Sequence, residues 1–174
     1  MNVPMLAILL PMLIILNGFV IDVGRYLVAR AELQTIVDAS SLAGAMAAEA
    51  IPEKELKVET DDSGNLSGIK EKSKEYRIVI NPVKAREDAL ETAELNGSPD
   101  YWKGQGGIFA LDQAPLNNEP GWEGSVIGDD SYYTRARVWM KPGFFAPVIK
   151  AVTGRDYVPV YIDSTSQAVN INEN

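Results

Sequence analysis

The chain has 174 residues, a net charge of −8, and neither cysteine nor histidine. The absence of cysteine excludes disulfide scaffolds and thiolate metal sites, and the absence of histidine removes the commonest general base and the commonest zinc ligand. The acidic balance disfavours nucleic acid and anionic lipid as partners. The remaining polar residues form no catalytic constellation, so we expect neither an enzyme nor a cofactor or metal site.

The first element is an apolar run that carries no charge from residue 3 to residue 21. As a helix rising 1.5 Å per residue it would extend roughly 28 Å, close to the ~30 Å hydrocarbon core of a bilayer. The residues ahead of it supply no basic flank and no small-x-small cleavage site follows it, so we do not expect a removed signal peptide. Either a basic flank has been cut from a longer precursor, or this start is not the natural one.

The helical pattern continues beyond the apolar run as far as Ile51-Pro52. Strong helix formers dominate residues 22–50, and apolar residues recur mostly at steps of three and four. This stripe consists of Val23, Tyr26, Leu27, Leu33, Ile36, Val37 and Met46. The pattern predicts one helix of nearly fifty residues, roughly 70 Å long, half in lipid and half outside it. We therefore divide the chain into a membrane or filament-core helix (1–50) and an exposed domain (51–174).

Two features of this helix affect its shape and its contacts. Pro11 lies in its interior and predicts a kink. Ser40, Gly44 and Ala48 recur at four-residue spacing, so another backbone can approach closely along that face. The partner is either the protein's own domain, which makes the helix a simple anchor, or copies of the same helix.

Asp22 and Arg25 lie three residues apart on one helix face at the edge of the apolar run. One interpretation is an interfacial stop signal, and the other is a charge pair that sets the register between packed helices. Our candidate helix–helix assembly residues are Pro11, Gly18, Asp22, Arg25, Ser40, Gly44 and Ala48.

The rest of the chain predicts a small antiparallel β-rich domain with one or two short helices, giving the α+β class. We predict strands at residues 76–80, 132–140 and 157–170, with a possible hairpin arm at 56–60. Asn81 caps a helix that runs from Pro82 to Gly97, and a short apolar helix spans 144–152. Residues 98–130 hold six glycines and three prolines and predict a long loop with one short strand near 108–111.

Short motifs in the domain favour ordinary turns and core positions over ligand sites. Asp61, Ser63 and Asn65 alternate as in a calcium loop, but Lys72 stands where the twelfth-position glutamate is required. Asn65 and Asn96 each begin an N-x-S glycosylation pattern, which arises easily by chance. The three tryptophans are scattered, and we assign them to packing instead of sugar binding.

The first fifty residues resemble the amino-terminal segment of Tad (tight adherence) pilus-assembly proteins of the TadE/TadG-like kind. That segment has an apolar run with a proline, an AVDxGR element, an LQ pair and a DAAALAGA element. The matching segments here are residues 7–11 (AILLP), 18–26 (GFVIDVGRY), 30–34 (RAELQ) and 38–45 (DASSLAGA). Weaker likeness is carried by residues 135–140, Phe144-Phe145, Gly154 and the closing strand 158–168.

This resemblance implies a pilin-like structural subunit that polymerises through its first helix into an extracellular filament. The alternative is a single-span minor pseudopilin that stays in the membrane as part of a Tad-type assembly machine. Either one would reside in the inner (cytoplasmic) membrane before assembly, and its partners would be copies of itself and the Tad-type machinery. Pilin relatives lose a short basic leader and usually carry a glutamate at the fifth mature position, where this chain has Met5.

Overall fold

The computed structural model describes residues 3–60 and 66–169. A long helix is followed by antiparallel sheets and a few short helices, so the predicted α+β class is confirmed. The helices are α1 (Val3–Met46), α2 (Pro82–Gly97), α3 (Pro99–Gly104) and α4 (Ala146–Thr153). The strands are β1 (Ala48–Thr60), β2 (Leu66–Ile80), β3 (Gly107–Ile108), β4 (Gly121–Ile127), β5 (Ser131–Met140) and β6 (Val158–Gln167).

The long amino-terminal helix is present as α1, with 44 residues and Pro11 inside it. At 1.5 Å per residue it is about 66 Å long. It ends at Met46, before the predicted stop at Ile51-Pro52. The predicted end is wrong because residues from Ala48 onward pair as strand β1, and Pro52 lies within that strand opposite Tyr76.

Strands β1 and β2 form a two-stranded antiparallel hairpin. Its register begins with Ala48 opposite Ile80 and ends with Thr60 opposite Leu66. The predicted hairpin arm at 56–60 and the predicted strand at 76–80 both lie in this hairpin, which is longer than the sequence pattern indicated. The turn cluster 61–65, with the calcium-loop-like residues and the first N-x-S asparagine, lies outside the described residues.

The second sheet is organised around β5. Strand β6 pairs along one edge of β5 over its full length, from Ser131 opposite Gln167 to Met140 opposite Val158. The other edge pairs first with β4 and then with the two residues of β3. Alternate β5 side chains are buried, as the period-2 pattern predicted. The predicted strands at 132–140 and 157–170 are therefore present as β5 and β6, although β6 ends at Gln167 and residue 170 lies outside the described residues.

The predicted long loop at 98–130 is partly wrong. It contains the short helix α3, the strand β4 and only a two-residue strand at Gly107–Ile108. The glycines of β4 weaken its local strand signal, and the strand forms because β5 provides a paired edge opposite it. The two helices predicted after Asn81 and near 144–152 are confirmed as α2 and α4, and the Asn81 side chain accepts from the N–H of Val83 and of Lys84.

The outer half of α1 is part of the domain core. It packs against α2, β5 and β6. Leu33, Ile36 and Val37 are almost fully buried there, together with Val138 and Val160 of the sheet. The first part of α1 has no such cover, because every side chain from Met5 to Asn17 is exposed. One helix therefore has two environments, and the change occurs near residue 18.

Candidate functional site at the junction of helix and domain

The junction is where α1 leaves its apolar run and first meets the domain. It consists of residues 18–25 of α1 and residues 141–149, which lead into and begin α4. Among the residues described, α1 is the one helix long and apolar enough to cross a membrane by length and composition. The junction therefore connects a candidate transmembrane segment to the folded domain.

Asp22 fastens the start of α4 to α1. Its carboxylate accepts the backbone N–H groups of Gly143 at 2.7 Å, Phe144 at 3.0 and 3.1 Å, and Phe145 at 2.7 Å. Successive N–H groups of this kind form a concavity that favours an anion. Phe145, at the beginning of α4, has no side-chain cap of its own. The carboxylate of Asp22 thus satisfies a stretch of backbone more than a hundred residues away in sequence.

Arg25 joins the same helix to a different loop. Its guanidinium Nη2 donates to the carbonyl oxygen of Gln105 at 3.1 Å. Asp22 and Arg25 therefore hold two separate loops of the domain against one helix face. The sequence placed both residues at the edge of the apolar run, but neither of its two interpretations included this intramolecular role.

Aromatic side chains close the junction. Gly18 is buried beneath Phe144, and a Cβ added to Gly18 would overlap the Phe144 ring. The rings of Phe19 and Phe145 meet edge to face with centroids 6.2 Å apart. Gly18 therefore permits a close approach, and the neighbour it admits is the protein's own chain.

A groove of about 430 Å³ lies beside this aromatic contact. Its walls come from α1, the end of β5, α4 and the start of β6, and they are mostly apolar. They include Phe19, Tyr26, Phe145, Val148, Ile149 and Val158. The groove is open along one side and adjoins the apolar run of α1.

The small-residue face predicted for assembly lies against the domain. Ser40 is buried, and its hydroxyl donates to the carbonyl oxygen of Ala89 at 2.7 Å. Gly44 lies under the ring of Tyr132, which a Cβ at Gly44 would overlap. Ala48 is no longer helical and begins β1. Small residues do allow close approach here, but α2 and β5 occupy the space.

Burial also fixes the protonation state of Tyr132, whose ring covers Gly44. It raises the pKa of Tyr132 to about 12, so the phenol is neutral at physiological pH. Tyr132 therefore acts as a packing surface for α1. On α2, Ala85, Ala89 and Ala93 are fully buried at four-residue spacing, which lets that helix approach α1 closely.

The opposite side of α1 remains uncovered. Its large exposed apolar residues beyond the apolar run include Leu27, Val28, Leu42 and Met46, which are 57%, 57%, 55% and 76% exposed. At 3.6 residues per turn they fall within about 100° of the helix circumference, opposite Ser40. We call Leu27, Val28, Leu42 and Met46 the uncovered stripe. Leu27 and Val28 adjoin the exposed surface of the apolar run, where Pro11 also lies, whereas exposed small and polar residues such as Thr35 and Asp38 separate them from Leu42 and Met46.

Sequence patterns did not indicate which parts of the chain contact α1. Phe144-Phe145 belongs to the weaker family likeness, and Ala89 and Tyr132 lie in a predicted helix and a predicted strand, but only the folded chain brings them to α1. In the described part of the chain no group of three or more acidic residues is placed to hold a metal ion.

Comparison with known proteins supports the resemblance of the amino-terminal segment. Residues 2–47 match the model of the Tad family, described as putative Flp pilus-assembly TadE/G-like. This match covers α1 and confirms the resemblance of that segment, while the β-rich domain lies outside it. Searches among curated proteins and among solved structures gave no match.

Proposed function

We propose that this protein is a structural, pilin-like subunit of an extracellular Tad-type filament that polymerises through α1. The observation that carries the proposal is the uncovered length of α1. Its apolar run, then Leu27 and Val28, and finally Leu42 and Met46 present apolar side chains that the protein's own domain does not bury. Between Val28 and Leu42 the exposed residues of this face are small or polar, among them Thr35 and Asp38. Burying each such side chain is worth roughly 1.5–3 kcal/mol, so water is a poor environment for this surface.

Two environments would cover this surface in succession. Before assembly, the apolar run lies in the inner (cytoplasmic) membrane, which its length fits. In the filament, helices of other copies replace the lipid, and the domain faces outward. The partners are thus the membrane, the Tad-type assembly machinery and further copies of this chain, which agrees with the pilus-assembly description of the matching family.

The contact between copies that we propose uses the uncovered stripe and the apolar run, including the Pro11 region. The face with Ser40 and Gly44 already contacts the protein's own domain. Small residues that remain open to a neighbour lie on the stripe side, since Gly24 has nothing within 4 Å of a Cβ built there. Close helix approach is therefore still available, on the side opposite the one the sequence indicated.

A second candidate is a minor component that stays in the membrane and assists assembly. It is favoured by one observation: Asp22, Arg25, Ser40 and Gly44 are all engaged within the chain. In that case α1 is an anchor whose outer half completes its own domain, and lipid is the permanent cover of the apolar run.

Electron microscopy of material sheared from cells distinguishes the two. Antibodies against the β-rich domain should decorate filaments along their whole length if the chain is the principal subunit. Label confined to filament ends, or to the membrane fraction with bare filaments beside it, would contradict the proposal in favour of the minor component.

A further inference from the structure

Helix α4 has an apolar surface that the domain leaves open. None of its residues is buried. Val148 and Val152 are 54% and 79% exposed, and Phe144 just ahead of the helix is 47% exposed. These residues adjoin the apolar groove at the junction. An amphipathic helix with one bare apolar face has the composition of a segment that lies in a membrane interface.

The contacts of α4 fix its level along α1. Asp22 binds the backbone of residues 143–145, and Phe144 covers Gly18. The start of α4 therefore lies beside residues 18–22, where the charge-free run ends. If the run occupies the hydrocarbon core, this is the level of the lipid headgroups.

The charges around α4 differ in sign from those of the chain as a whole. Segment 141–157 contains Lys141, Lys150 and Arg155 against one acidic residue, Asp156, in a chain of net charge −8. Lys150 and Asp156 pair at 3.0 Å. Basic residues beside an apolar helix face complement anionic phospholipid headgroups.

Aromatic side chains lie at the same end of the sheet. Trp139 precedes the last residue of β5, Tyr157 precedes the first residue of β6, and their rings stack with centroids 6.0 Å apart. Both are only partly buried. Tryptophan and tyrosine are enriched at the membrane–water interface, where an apolar ring with a polar tip suits the headgroup region.

We propose that segment 141–157, with α4 at its centre, is a collar that lies on the bilayer surface before assembly. Phe144, Val148 and Val152 enter the boundary between headgroups and acyl chains, and Lys141 and Arg155 contact anionic lipid. Asp22 transmits this contact to α1 and so fixes the depth of the helix. The proposal rests on the membrane insertion of α1 in the proposed function. Lipid is the occupant because the exposed face is continuous with the apolar run and carries the opposite charge to the headgroups.

The experiment uses the full chain in vesicles of phosphatidylethanolamine and phosphatidylglycerol. The chain has no cysteine, so one fluorescent label can be placed at each chosen site. Val148→Cys and Val152→Cys report the collar, and Leu13→Cys reports insertion of the run. Ile127→Cys and Leu95→Cys are matched controls, because these side chains are 51% and 78% exposed, against 54% and 79% at the collar sites. Quenchers attached to the lipids at known depths measure where each label lies.

Labels at the two collar sites should lie about 5–10 Å into the headgroup and acyl boundary, and those at the two controls should escape lipid-borne quenchers. High salt should weaken quenching at the collar more than at Leu13. Collar labels quenched no more than their controls, with the Leu13 label quenched, would overturn the collar while leaving insertion intact. An unquenched Leu13 label would overturn insertion and the collar together. Collar labels that quench one another in the membrane and escape the lipid-borne quenchers would instead indicate a contact between copies and overturn the proposal.

Discussion

At the scale of single residues, Asp22 has to satisfy backbone groups that no local residue serves. Three successive N–H groups of residues 143–145 point to one carboxylate, and the beginning of α4 has no cap of its own. Hydrogen bonds to a charged group contribute more than neutral ones, and a backbone donor left without a partner adds its own cost. Asp22 is therefore the residue on which the joint between α1 and α4 depends.

Asp22→Ala should loosen this joint. We expect a loss of about 1.5 kcal/mol, the lower end for bonds to a charged group because the site is partly exposed. The matched control is Asp38→Ala on the same helix, where the exposed carboxylate accepts one bond from Gln34 at 2.8 Å. Urea unfolding in detergent and amide exchange at residues 143–145 measure the effect. Equal stability and equal exchange in the two variants would contradict the role assigned to Asp22.

Two glycines of α1 provide a second residue-level test. Gly44 faces the Tyr132 ring, whereas Gly24 has open space where a Cβ would be placed. In both cases alanine improves helix propensity by about 1 kcal/mol. At Gly44 the added methyl group also overpacks a buried contact, which typically costs 1–3 kcal/mol.

Gly44→Ala should therefore lower the melting temperature of the domain, and Gly24→Ala should leave it unchanged or raise it. Thermal unfolding followed by near-ultraviolet circular dichroism in detergent compares the two variants directly. If the melting temperature of Gly44→Ala equalled that of Gly24→Ala, the close contact between Gly44 and Tyr132 would not exist. A larger side chain at position 44 disturbs the fold of the subunit itself, so such a substitution is a poor probe of contacts between copies.

At the scale of elements, local signals predicted α2, α4, β5 and β6 well. Asn81 with Pro82 defines a helix start, and the alternation in 132–140 defines a strand with one buried face. Strand β4 was missed because its formation depends on pairing with β5, which is not a local property. The end of α1 was placed too late because helix propensity continues past Met46, while the pairing of Ala48 with Ile80 overrides it.

Truncation tests where the domain begins. Cutting the chain at the predicted domain boundary near residue 50 removes Leu33, Ile36 and Val37, which are buried in the core. Each is worth roughly 1.5–3 kcal/mol, a large share of the stability of a small domain. We expect residues 22–174 to unfold cooperatively and residues 53–174 to lack fixed tertiary structure. Near-ultraviolet circular dichroism and thermal melts compare the two, and a cooperative melt of the shorter chain at the same temperature would support the division near residue 50.

At the scale of the whole molecule, α1 has one side that the domain covers and one side that stays open, and the sequence alone could not assign them. The sequence pattern identified an apolar run, an apolar stripe and a small-residue face, and α1 contains all of them except Ala48, which begins β1. Which face meets the domain and which stays open depends on where α2 and the second sheet pack. Ser40 and Gly44 contact the domain, whereas the side chains of Leu42 and Met46 remain exposed. Small residues permit close approach by any partner, so their spacing does not identify the partner.

Leu42→Glu tests whether the uncovered stripe is the contact between copies. Leu42 is 55% exposed, and glutamate is nearly as good a helix former as leucine, so the subunit should fold and insert unchanged. Within a bundle of helices a buried, unpaired carboxylate is costly at every subunit, so filaments should be lost. Leu95→Glu on α2, at a side chain that is 78% exposed, makes the same chemical change away from α1 and should leave filaments intact. Electron microscopy of sheared material gives the filament count, and membrane fractionation with a thermal melt checks insertion and folding. Normal filaments from Leu42→Glu would exclude the stripe as the polymer contact, and loss of filaments from both variants would point to surface charge instead of helix packing.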